Sequence, residues 1–146
     1  HNVGNFEASY APTLDDLSRL DPEFGMDISV WSKIPQYKDY GFVVFKLKSG
    51  NVKPHPMAFN FPSRLSSKLF FPTVHIHDGE VHQKEKFDHR LFAQGTLSQK
   101  VSVWETAPAA KNYIKPKGDI VVNREESVHY LSMKGNLANE DVLLEV

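Results

Sequence analysis

Three histidines and a carboxylate, His75, His77, Glu80 and His82, lie within eight residues of one another around the pair Asp78-Gly79. Imidazole nitrogen and carboxylate oxygen are donors that Zn²⁺ and Cu²⁺ accept. Asp-Gly between alternating apolar and polar positions predicts a two-residue β-hairpin, because this dipeptide accepts the positive φ angles of a type I′ turn. In that register His77 faces Glu80, Ile76 faces Val81 and His75 faces His82. Side chains alternate along a strand, so His75, His77, Glu80 and His82 share one face and Val74, Ile76 and Val81 the other. Neighbouring Cα atoms on that face are about 5.5–7 Å apart, within reach of imidazoles closing on one ion.

The expected site therefore holds a divalent transition metal, Zn or Cu, through His75, His77 and His82. Glu80 has two possible roles. As a fourth ligand it closes a structural site, and as a general base for bound water it leaves an open position for hydrolytic or oxidative chemistry. The layout, a His-x-His strand with a third histidine on the antiparallel neighbour, resembles the zinc site of carbonic anhydrases. His75, His77 and Glu80 also resemble part of the first cupin motif. The chain departs from that motif in the short His77-to-Glu80 spacing, and in Leu69 and Phe87 where glycines are expected. Val121 stands where the second cupin motif has histidine. His1 resembles the N-terminal copper ligand of lytic polysaccharide monooxygenases, which are immunoglobulin-like sandwiches. The alternative to all of these is a noncatalytic binding or assembly domain, in which the polar side of the hairpin is simply the solvated face of a sheet.

Two further histidines read differently. In Phe87-Asp88-His89-Arg90-Leu91, His89 alternates onto the core-facing set with Phe87 and Leu91, which predicts a hydrogen-bonded core histidine with Asp88 and Arg90 outward. His55, between Pro54 and Pro56, is expected at a turn or sheet edge. The absence of cysteine excludes disulfides, thiolate zinc sites and cysteine nucleophiles. No Gly-x-Ser-x-Gly elbow, phosphate loop or dinucleotide fingerprint is present.

The elements needed to position these residues are mostly strands. The chain has 146 residues, 40% hydrophobic and 24% charged, which predicts a single soluble β-rich domain over 1–146. A net charge of −1 gives no general attraction to nucleic acid, and no apolar run reaches the roughly 20 residues of a membrane span. Small-molecule, carbohydrate and protein partners all stay open, as does the compartment.

Strands are expected over 3–10, 41–48, 52–61, 69–71, 87–91, around Val101 and Val103, and over 120–122, 128–133 and 142–146. Gly135-Asn136 is expected to be a turn. Short helices are expected after Thr13 and from Asp27 to Lys33, and a helical turn near residues 106–110. This pattern predicts a mainly β fold, an antiparallel β-sandwich or jelly roll with two or three short helices.

Overall fold

The computed structural model describes residues 1–24, 27–50, 53–55, 57, 59–95, 104–112 and 122–145. It is mainly β, with 38% strand against 16% helical, and every sheet pairing among the described residues is antiparallel. Backbone contacts divide the chain into two compact units, His1–Met57 with Ile76–Val81, and Ala58–His75 with His82–Val146.

The first unit carries a sheet in the order β1-β2-β3, with β1 Asn2–Val3, β2 Phe6–Ala11 and β3 Phe42–Leu47. Gly4, at a φ of 56°, turns the chain between β1 and β2, a conformation that side chains other than glycine adopt only with strain. The next amide, Asn5 N–H, donates to His55 Nε2 at 3.0 Å, and the His55 ring meets Phe6 edge-on with centroids 5.3 Å apart. His55 thus buttresses a turn, close to the role its flanking prolines suggest.

Among the described residues, the helices of this unit are short 3₁₀ segments, at Asp15–Arg19, Pro22–Phe24, Ile28–Lys33 and Pro35–Tyr37. Thr13 Oγ donates to the Asp16 carboxylate ahead of the first, and Asp27 caps the third by accepting from the Ser29 amide. Prolines at 22 and 35 prevent either from growing into a longer helix. Leu17, Val30, Ile34 and Tyr37 bury their apolar faces, and Trp31 packs edge-on against Phe42 of β3 at 4.7 Å.

The described residues of the second unit form two sheets: β4 Lys68–Phe71 with β8 Val142–Glu145, and the order β5-β7-β6, formed by β5 Lys84–Ala93, β7 Val128–Ala138 and β6 Glu105–Ala107. Alternation along β5 turns Phe87, His89, Leu91 and Ala93 to one face and Asp88, Arg90 and Phe92 to the other. Phe87 and Val128 are fully buried, and Ala107, Ala110 and Val128 form one packed cluster.

Four expectations change. Thr106 and Ala107 lie in strand β6 rather than in a helical turn, and the 3₁₀ turn there runs over Ala110–Asn112. Residues 74–82 bend at 77–79 with Gly79 at a φ of 82°, but Asp78 does not take the positive φ that a type I′ turn needs, and no strand lies on either side. The described residues of 52–61 carry no strand either, since proline amides cannot join a ladder. Gly135-Asn136 is not a turn: both residues lie inside β7, with Gly135 opposite Phe87 and at a φ of 102°. The expected strand at Val101 and Val103, and residues 120 and 121 of another, fall outside the described residues. No helix among the described residues is long and apolar enough to cross a membrane.

Candidate functional site

His75 follows β4 by four residues in an extended run without ladder partners of its own. Its backbone is held instead by the side chain of Asn139, the first of the three residues that join β7 to β8. Asn139 Oδ1 accepts from His75 N–H at 2.8 Å, and Asn139 Nδ2 donates to the His75 carbonyl at 2.9 Å. Asp141 Oδ1 accepts from Thr73 N–H at 2.9 Å, and the buried Thr73 hydroxyl donates to the Glu140 carbonyl at 2.7 Å. Asn and Asp side chains can replace a neighbouring strand in this way because each presents amide-like or carboxylate oxygens at backbone spacing.

Held there, the His75 ring stacks on Phe87, with centroids 4.5 Å apart and planes 22° from parallel. It meets His89 edge-on at an interplanar angle of 82°, with the two Nε2 atoms 3.2 Å apart. His89 is placed by the long β5–β7 ladder, directly opposite Met133. Both histidines are half-buried. At this separation one Nε2 donates a hydrogen and the other accepts it.

The other expected site residues are placed differently. His82 is exposed, and its carbonyl accepts from the same Asn139 Nδ2 at 3.1 Å, so one amide nitrogen links the backbones of His75 and His82. The expected facing of those two residues thus reappears through a side chain rather than a ladder. His77 and Glu80 belong to Ile76–Val81, within the first unit, and both are exposed. There Glu80 N–H donates to Asp78 Oδ1, and the Glu80 carboxylate takes the Lys33 ammonium at 2.7 Å. Lys33 also donates to the Gly79 carbonyl. Lys33 contacts Oε2, one of the two oxygens of this exposed carboxylate. Among the described residues, no group of three or more His, Cys, Asp or Glu side chains is placed to hold one ion.

Comparison with known proteins adds no function. No family model, curated protein or solved structure matches the chain.

Three contributors escaped the sequence reading: His89 as the partner of His75, Asn139 as the backbone clamp, and Asp141 beside it. The available signal was the polar run Asn139-Glu140-Asp141 between two apolar strands, where such side chains commonly bond to nearby backbone. An open groove of about 610 Å³ runs between β7 and β8. Its lining includes Leu131, Met133 and Leu137, which lie on the same face of the ladder as His89.

Proposed function

We propose that the chain is a metal-binding β-domain that holds a divalent transition ion, Zn²⁺ or Cu²⁺, with His75 as its anchoring ligand and His89 as the second. The observation that carries this reading is the 3.2 Å separation of the two Nε2 atoms. Two nitrogens bound tetrahedrally to one ion at about 2.0–2.1 Å stand about 3.3–3.4 Å apart. A movement of a few tenths of an ångström, together with transfer of the shared Nε2 hydrogen to Nδ1 of its own ring, offers both lone pairs to a metal.

The surroundings favour a fixed site. His75 is backed by Phe87, and His89 sits mid-ladder, so both rings are oriented against β5. His82, in the same unit, is the candidate for a third ligand, with water in any remaining position. Metal analysis of protein purified without an affinity tag tests the reading. About one equivalent of Zn²⁺ is expected in the unsubstituted chain, lost in His75→Gln and in His89→Gln. Equal metal content in all three contradicts it.

A different observation favours the noncatalytic assembly reading. Tyr10 and Val43 are direct cross-strand partners with exposures of 63% and 41%, and Leu47, on the same face, is 40% exposed. An apolar face of this kind suits self-association. Sedimentation showing a monomer at high protein concentration removes that alternative.

A further inference from the structure

We propose that Asn139 is the positioning residue of the metal site, acting on the metal through the His75 backbone; this rests on the metal-binding reading above. Asn139 lies one residue beyond β7, where its own N–H donates to the Gln83 carbonyl at 3.0 Å and extends the β5–β7 ladder by one step. Its backbone is therefore fixed to the strand that carries His89. Its side chain reaches the other way and uses its whole amide. Oδ1 takes the His75 N–H, and the two hydrogens of Nδ2 go to the carbonyls of His75 and His82.

The consequence is geometric. His89 is positioned by the ladder and His75 by a side chain rooted at the end of that same ladder. The separation of their imidazoles is thus set through one residue. Only asparagine meets the requirement at this length: aspartate accepts but cannot donate, and glutamine displaces the amide by a methylene. Thr73 and Asp141 hold the preceding residues but make none of these bonds to the His75 peptide. Loss of the clamp frees the His75 Cα, and a shift of about 1 Å is enough to spoil ligand convergence.

The test compares Zn²⁺ affinity, by competition with a chelator, and the Co²⁺ absorption spectrum of the intact chain with those of Asn139→Ala, Asn139→Asp and Thr73→Val. Thr73→Val removes a buried hydroxyl bond from the same run and serves as the control for general loosening. The expected result is a loss of about 10–100-fold in Zn²⁺ affinity and an altered Co²⁺ spectrum for both Asn139 variants. Thr73→Val is expected to lower the melting temperature while keeping both metal readouts. Should Asn139→Ala fail to fold, Asn139→Asp, which retains the acceptor for His75 N–H, supplies the result. Wild-type affinity and spectrum in a folded Asn139 variant overturn the assignment of Asn139 alone. An equal affinity loss in Thr73→Val also overturns it. Absence of Zn²⁺ binding by the unsubstituted chain overturns the metal reading and this inference together.

Discussion

His75 and His89 bring their Nε2 atoms to 3.2 Å although fourteen residues separate them in the chain. One ring comes from an extended run held by side chains and the other from the middle of a ten-residue strand. Their meeting depends on Phe87, two residues before His89 on the same face of β5, which supplies the surface on which His75 stacks.

Phe87 is accordingly the most sensitive apolar position near the site. It is 1% exposed, and Phe87→Ala leaves a cavity beneath the His75 ring. A loss of about 3–5 kcal/mol is expected from denaturant unfolding. A loss under about 1 kcal/mol would show that the ring is not the packed floor of the pair.

A separate prediction concerns Gly4 in the first unit. A Cβ there would lie 2.2 Å from His55 Nε2, and the φ of 56° is unfavourable for a side chain. Gly4→Ala is expected to destabilise by about 1–3 kcal/mol. Adding His55→Ala should recover the part due to collision but not the part due to backbone strain. A double variant that shows simple additivity would contradict the contact.

The acid limb of stability has a local contribution from Asp27. The Ser29 hydroxyl, and then the Ser29 amide, hold the Asp27 carboxyl below its ordinary value of 3.8. A carboxyl lowered in the folded state adds stability above its unfolded pKa, and that contribution is lost as pH falls through the folded value. Ser29→Ala removes the larger of the two causes. The variant should therefore melt below wild type near neutral pH and converge with it in acid. A difference that persists unchanged below the carboxylate range would contradict this assignment.

The parts of the fold that follow a period were legible. Alternation placed Phe87, His89 and Leu91 on one face of a strand with Asp88 and Arg90 on the other, and the structure has that arrangement. Asp78-Gly79 was legible as a change of chain direction because glycine permits positive φ, but not as a type I′ turn, since Asp78 does not adopt positive φ. Its flanking arms were not legible, because the His75 backbone pairs with an Asn139 side chain, and such pairing leaves no periodic trace in sequence. Gly135-Asn136 misled for a related reason. A glycine at positive φ can sit inside a strand as well as at a turn, and β7 continues through it with its register intact. His89 was legible as a hydrogen-bonded inward histidine, but its partner was not, since contacts across fourteen residues without a ladder cannot be counted from spacing.

The most direct test is a long-range ¹H–¹⁵N NMR titration of the histidine rings with Zn²⁺, using protein without an affinity tag. The expected result is that the Nε2 resonances of His75 and His89 shift together and saturate near one equivalent, with both rings carrying their hydrogen on Nδ1. Unchanged His75 and His89 rings at saturating Zn²⁺, or shifts confined to His77 and His82, would contradict the proposed pair.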